Sequence, residues 1–159
     1  GRLRREHGRP DGPGVGPETV ARWIAAVPAG GRLSLYVHVP YCRRLCWFCA
    51  CRTQGTLTDR PLAPYLAQIR AELALVGRHL RPDVQVAAIH LGGGTPTIPP
   101  PGMLGDLCGM LRAFRPLAPD LSFSVEIDPT EVDAARLEVL ARAGMTRASI
   151  GVQDFDAAV

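Results

Sequence analysis

Four of the chain's five cysteines lie within the ten-residue stretch CRRLCWFCAC, residues 42–51. Cys42, Cys46 and Cys49 are separated by three and then two residues, a spacing short enough for one loop to wrap three thiolates around a single centre. The spacing leaves three kinds of site open: an iron–sulfur cluster with one iron free of protein ligands, a structural zinc site, and a redox-active thiol pair. A structural zinc needs four ligands, and Cys51 follows Cys49 so closely that we expect its side chain to point elsewhere. The pattern therefore favours the cluster.

A run of three glycines, residues 92–94, follows a strand-like segment and precedes Thr95. Glycine lets the backbone approach a ligand closely or adopt positive φ in a tight turn. The run is neither the spaced dinucleotide fingerprint nor a phosphate loop, which would need Lys-Ser/Thr after the glycines. By itself it indicates either a plain turn or a ligand-binding loop, and a position beside the cysteines favours the second.

Several polar residues also stand at the ends of strand-like segments. A buried, unpaired carboxylate is costly, so we expect Glu126 to bind a hydroxyl or amine group, or alternatively an arginine such as Arg147. Asp128 precedes a proline and is expected to cap a helix rather than to bind a ligand. Gln153 is interpreted either as a polar contact to a ligand or as an ordinary loop residue.

Other residues with reactive side chains are assigned structural roles. His38 and His90 are interpreted as core histidines with satisfied nitrogens in preference to ligands. Cys108 falls on an apolar helix face and is expected to be buried. Trp47 and Phe48 lie between the clustered cysteines, where they would shield the centre from water or stack on a ligand ring.

The elements that must position these residues alternate along the chain. Apolar residues recur at helical spacing in three segments that separate four strand-like segments, and this order predicts an α/β fold with a parallel sheet and right-handed crossovers. A further short helix begins at Pro17. The four strand-like segments are residues 32–39, 84–91, 121–127 and 146–152.

Within these strands, side chains of one parity are apolar and those of the other parity are largely polar. A parallel sheet covered by helices on both faces would be continuously apolar. The pattern instead predicts a curved sheet with outer helices and a polar inner face, as in a partial TIM-like (β/α) barrel. The cysteines, the glycines, Glu126 and Gln153 would converge at the carboxyl ends of the strands. About four strands cannot close a barrel, so we expect an incomplete one and a chain that is a fragment.

Composition narrows the class of protein. The 159 residues, 47% of them hydrophobic, suffice for one globular domain, and no apolar run approaches the ~20 residues of a membrane helix. A net charge of +3 with scattered arginines argues against nucleic acid binding, and the absence of lysine excludes Schiff-base chemistry. Residues 1–16 lack the order of a secretory signal and are predicted to be a disordered tail of a cytoplasmic protein.

At CRRLCWFC the chain resembles the radical S-adenosylmethionine superfamily, whose Cys-x-x-x-Cys-x-x-Cys loop holds a [4Fe-4S] cluster. Four stretches in order are similar to the oxygen-independent coproporphyrinogen III oxidase family: LYVHVPYCRRLCWFCAC, HLGGGTPT, SVEIDP and SIGVQDF. Residues 17–159 would then be the amino-terminal part of a radical SAM barrel domain, with the rest of the barrel and a carboxyl-terminal domain absent. No counterpart of the family's aromatic-rich amino-terminal segment occurs in residues 1–16.

The resemblance implies roles for particular residues. Cys42, Cys46 and Cys49 would ligate the cluster, and S-adenosylmethionine would occupy the fourth iron. Contacts to S-adenosylmethionine are implied for Tyr36, Phe48, Gly93, Gly94, Thr95, Glu126 and Gln153.

The implied reaction is oxidative decarboxylation of two propionate groups of coproporphyrinogen III to the vinyl groups of protoporphyrinogen IX. A radical formed from S-adenosylmethionine would abstract hydrogen from each propionate, which then loses carbon dioxide and one electron. The implied partners are this substrate and a reductase or flavodoxin-type electron donor, in a full-length monomer that binds neither membrane nor nucleic acid.

Two rival interpretations remain. Haem chaperones related to this oxidase family share the cluster motif and the glycines but usually have an aromatic residue where this chain has Cys51. The cysteine favours the oxidase. A fragment that binds a structural zinc and has no activity is the other rival.

Overall fold

The computed structural model describes residues 15–45 and 52–152, so that nearly all of the predicted tail lies outside the described residues. The helices in these ranges are α1 (Pro17–Ala25), α2 (Leu62–His79), α3 (Pro101–Ala113) and α4 (Ala134–Arg142). The strands are β1 (Arg32–Val39), β2 (Tyr41–Cys42), β3 (Gln54–Gly55), β4 (Gln85–Gly93), β5 (Leu117–Ile127) and β6 (Arg147–Ile150).

Four strands form one parallel sheet in the order β1-β4-β5-β6, and α2, α3 and α4 connect them in turn. This confirms the predicted α/β class. β5 begins at Leu117, four residues before the predicted start, because its pairing with β4 shifts register between Val86 and Ala88. Pro119 lies in this irregular stretch, between the paired residues Leu117 and Ser122, where its lack of an N–H costs no ladder hydrogen bond.

The core lies on one face of the sheet. Alternate residues of β1, β4 and β5 are buried there with one side of α3. Cys108 on α3 is buried as predicted, and desolvation raises the pKa of its thiol to about 11. Ile150 has the apolar parity in the fourth predicted strand, yet it is 60% exposed: within the described residues β6 pairs with β5 alone and lies at the edge of the sheet. None of the described helices is long and apolar enough to cross a bilayer.

The start of α4 corrects one prediction. Asp133, not Asp128, caps this helix and accepts a hydrogen bond from the Arg136 N–H at 2.8 Å, which lowers the pKa of the Asp133 carboxyl. Asp128 instead accepts hydrogen bonds from the N–H and hydroxyl of Thr130, at 2.9 and 2.7 Å. It therefore stabilises the turn that leaves β5.

Replacement of Phe123 tests the importance of the sheet's buried face. Phe123 is fully buried in β5, so Phe123→Ala is expected to lower the free energy of unfolding by about 3–5 kcal/mol. Leu57→Ala is the control, because Leu57 is 89% exposed and its loss should change stability by no more than about 0.5 kcal/mol. Urea unfolding followed by circular dichroism measures both, and equal midpoints would contradict the assignment of the core.

Candidate functional site

The face of the sheet opposite the core carries polar side chains in two adjacent rows. In the first row β1 pairs Tyr36 with His90 of β4, and β4 pairs His90 with Ser124 of β5. The second row contains His38 of β1 beside Gly92 of β4, and Glu126, two residues after Ser124 on β5 and on the same face. The alternation of polar and apolar side chains is thus realised across three strands, as the sequence predicts.

His90 joins the two rows. Its Nδ1 lies 2.6 Å from Ser124 Oγ and its Nε2 lies 3.2 Å from Glu126 Oε1. An ionised carboxylate only accepts hydrogen bonds, so in the neutral ring Nε2 carries the proton and Nδ1 accepts from the Ser124 hydroxyl. The Tyr36 ring stacks on the imidazole with centroids 5.5 Å apart and planes inclined by 14°.

Both ring nitrogens of His38 also have hydrogen-bond partners. Its Nε2–H donates to the Arg52 carbonyl oxygen at 2.9 Å, and its Nδ1 accepts from the Tyr36 hydroxyl at 3.0 Å. Both histidines therefore have satisfied nitrogens, as expected, although they lie half-buried on the polar face and not in the apolar core. The expectation that they are core residues was wrong, because their parity directs them away from the helices.

The Glu126 carboxylate is oriented by two donors of the chain. Its Oε2 accepts from the Gly93 N–H at 3.1 Å, and its Oε1 accepts from His90. Glu126 is hydrogen-bonded to His90 and forms no ion pair with Arg147, which was the alternative partner. The side chain remains 45% exposed, so the carboxylate has lone pairs available for a hydroxyl or amine of a ligand.

Each of the three glycines leaves space for a different neighbour. A Cβ on Gly92 would lie 3.0–3.1 Å from atoms of Tyr36, His90 and Glu126. Gly93 has φ +111°, a conformation that other residues rarely adopt.

At Gly94 a Cβ would lie 2.8 Å from both Cys42 Sγ and the Tyr41 carbonyl oxygen. The Gly94 N–H donates to the Val39 carbonyl at 2.8 Å, and the Thr95 N–H donates to the Tyr41 carbonyl at 2.9 Å. The glycine run is therefore a surface on which the start of the cysteine loop rests.

The base of the cysteine loop is pinned by short β-pairing. β2 pairs with β3 so that Cys42 lies beside Gly55, and the Thr56 N–H donates to the Cys42 carbonyl at 2.9 Å. Arg43 forms an ion pair with Asp59, which also ties the two arms of the loop together. The loop thus leaves and returns at one point, with the Cys42 side chain buried there.

Tyr65 of helix α2 packs against the base of the cysteine loop. The Tyr65 hydroxyl donates to the His38 carbonyl oxygen at 2.8 Å, and its ring meets the Tyr41 ring edge-on at 5.6 Å. Burial raises the pKa of Tyr65, which keeps the phenol a hydrogen-bond donor.

Six of the predicted site residues are therefore brought together at the carboxyl ends of β1, β4 and β5, and their roles remain predictions. They are Tyr36, Cys42, Gly93, Gly94, Thr95 and Glu126. Four further predicted residues lie outside the described residues, as do Trp47 and Cys51: these four are Cys46, Phe48, Cys49 and Gln153. In residues 15–45 and 52–152 no three His, Cys, Asp or Glu side chains are grouped to hold a metal ion.

The sequence interpretation missed His90 and Ser124 as parts of this site. Both have the polar parity in their strands, which was the available signal. Their link to Glu126 depends on the strand register, which the sequence pattern leaves open.

Comparison with known proteins adds a family assignment. The model of the Radical SAM superfamily matches residues 36–159. The chain is 57% identical over 145 residues to the oxygen-independent coproporphyrinogen III oxidase of Cereibacter sphaeroides, and 54% identical over 144 residues to that of Paracoccus denitrificans. Each match covers 91% of this chain and 32% of the relative.

Among solved structures, the chain is similar to the coproporphyrinogen III oxidase of Escherichia coli, described as a radical SAM enzyme. The TM-score is 0.81 at 33% identity, and the match covers 89% of this chain and 32% of that one. The chain thus spans about a third of the length of these relatives. The family model covers most of the chain, and the fold agrees with that of a solved radical SAM enzyme. The chain therefore belongs to the radical SAM superfamily.

Proposed function

We propose that this chain is part of an oxygen-independent coproporphyrinogen III oxidase, which converts coproporphyrinogen III to protoporphyrinogen IX with a [4Fe-4S] cluster and S-adenosylmethionine. The observation that carries the proposal is the contact between two separate motifs. The Cys42 sulfur rests on Gly94, while the preceding residue, Gly93, holds the Glu126 carboxylate. A thiol and an oriented carboxylate therefore share one end of the sheet.

The residues present fit the cluster. Cys42 is buried where the loop closes, and the space that a Cβ on Gly94 would fill is taken by its sulfur. Cys46 and Cys49 follow at the spacing that lets one loop supply three thiolates. When bound, the cluster and S-adenosylmethionine supply radical chemistry by reductive cleavage of a carbon–sulfur bond.

The chain's other residues would bind and orient S-adenosylmethionine. Glu126 offers carboxylate lone pairs toward the open side of the polar face, and the exposed Tyr36 ring offers a surface for packing. The backbone of Gly93, Gly94 and Thr95 would form the adjoining wall, to which Phe48 and Gln153 would add contacts. The protein's part is positioning and exclusion of water, so no general acid or base is required of these residues.

We extend the proposal to the surroundings of the site. Residues 17–159 form the amino-terminal part of the barrel domain, and the whole protein is a monomer that receives electrons from a reductase or flavodoxin-type donor. A cytoplasmic location agrees with clustered cysteines that act as metal ligands, because reducing compartments keep such thiols free.

Removing one cysteine at a time tests the cluster assignment. Cys42→Ala, Cys46→Ala and Cys49→Ala are each expected to abolish iron uptake during anaerobic reconstitution, because the cluster loses one of three protein ligands. Cys108→Ala is the matched control, since Cys108 is buried among apolar residues of α3. Iron and zinc per chain are measured, with the EPR signal of the reduced protein before and after addition of S-adenosylmethionine.

Normal iron in any of the three variants would overturn the ligand assignment, and bound zinc without iron uptake would support a structural zinc site. Anaerobic formation of protoporphyrinogen IX from coproporphyrinogen III, followed by fluorescence after oxidation, tests the oxidase itself. A protein with the cluster and an S-adenosylmethionine response but no decarboxylation would support a chaperone-like relative.

Gly94→Ala tests the contact between Gly94 and the start of the cysteine loop. The added Cβ would collide with Cys42 Sγ and the Tyr41 carbonyl, so iron uptake is expected to fall well below that of the unsubstituted chain. Gly109→Ala is the control: Gly109 lies in α3 with open space around it, and the change should leave iron uptake intact and raise stability by about 0.5–1 kcal/mol. Equal iron content in the two variants would show that the contact is dispensable.

A further inference from the structure

We propose that His90 is a positioning residue, which fixes the Glu126 carboxylate for S-adenosylmethionine through a single ring tautomer. The inference rests on the proposed function and deepens it, because it adds to the binding site a residue that does not itself need to touch the ligand. It follows from the hydrogen bonds, stacking and packing around one imidazole.

Among the described residues, one donor reaches each oxygen of the carboxylate. Gly93 N–H holds Oε2 at 3.1 Å, and His90 Nε2–H holds Oε1 at 3.2 Å. Two donors on different oxygens set the plane of the carboxylate, whereas one donor would leave it free to rotate about the hydrogen bond. The backbone donor is fixed by the fold, so His90 is the side chain on which the second restraint depends.

The imidazole is itself restrained on several sides. Because the Glu126 carboxylate can only accept, the neutral ring carries its proton on Nε2, and Nδ1 accepts from the Ser124 hydroxyl, whose Oγ lies 2.6 Å away. The Tyr36 ring stacks on one face of the imidazole. The missing side chain of Gly92 leaves the space beside Nε2, where a Cβ would come within 3.0 Å.

These restraints give His90 a defined task. A ring that could flip or exchange tautomers would present an unprotonated nitrogen to Glu126 and repel it. The Glu126 carboxylate disfavours that state, and the hydrogen bond between Ser124 Oγ and Nδ1 holds the ring against a flip that would move Nε2 away from the carboxylate. The serine therefore acts on the carboxylate through the histidine.

Two isosteric substitutions separate this role from a structural one. The amide nitrogen of His90→Gln can take the place of Nε2–H and donate to Glu126, whereas the amide of His90→Asn reaches only the position of Nδ1. In the anaerobically reconstituted full chain, we expect His90→Asn to weaken S-adenosylmethionine binding roughly ten- to a hundredfold. His90→Gln should retain affinity within about threefold.

Isothermal titration calorimetry measures the affinity, and the EPR change that S-adenosylmethionine causes in the reduced cluster gives an independent readout. Iron per chain and the melting temperature show whether each variant is folded and loaded. Ser124→Ala provides a second variant that keeps the ring, and it should weaken binding several-fold while iron content stays normal.

A double-mutant cycle completes the test. If His90 acts through Glu126, adding His90→Asn to Glu126→Ala should change affinity by less than about twofold. Three outcomes would overturn the proposal. His90→Gln and His90→Asn could lose the same affinity, His90→Asn could cause its full loss of affinity even in the Glu126→Ala background, or affinity could be unchanged in every variant. Failure of the unsubstituted chain to bind iron and S-adenosylmethionine would instead overturn the proposed function, and the positioning role with it.

Discussion

The site depends on the absence of side chains at the end of β4. A Cβ on Gly94 would lie 2.8 Å from Cys42 Sγ, and one on Gly93 would lie 2.8 Å from the Val39 carbonyl oxygen. Nonbonded atoms do not approach so closely, and Gly93 also has a positive φ that other residues rarely adopt. Glycine at these positions lets β1 and the start of the cysteine loop pack directly on the β4 backbone.

The same turn organises the polar face. At Gly93 the chain leaves the regular strand, and its N–H is directed to the Glu126 carboxylate. The other oxygen of that carboxylate is held by His90, whose ring is stacked by Tyr36. One hydrogen bond thus joins the glycine backbone that supports Cys42 to the Glu126 carboxylate, so that the proposed cluster and cofactor sites share one scaffold.

Most of the sheet follows from local sequence patterns, because burial of one face imposes a period of two on β1, β4 and β5. Two errors show the limit of such patterns. Asp128 and Asp133 have the same capping chemistry, and only the path of the chain between β5 and α4 selects Asp133. Ile150 has the parity of a core residue but is exposed, and within the described residues β6 pairs with β5 alone.

The sequence by itself determined the α/β order, the spacing of Cys42, Cys46 and Cys49, and the placement of the glycine run after a strand, since these depend only on neighbouring residues. Tertiary structure decided which distant residues meet. Strand register placed His90 between Ser124 and Glu126, and the packing of the loop on Gly94 located the Cys42 sulfur. Register and close packing arise from contacts between segments far apart in the chain, which no local pattern encodes.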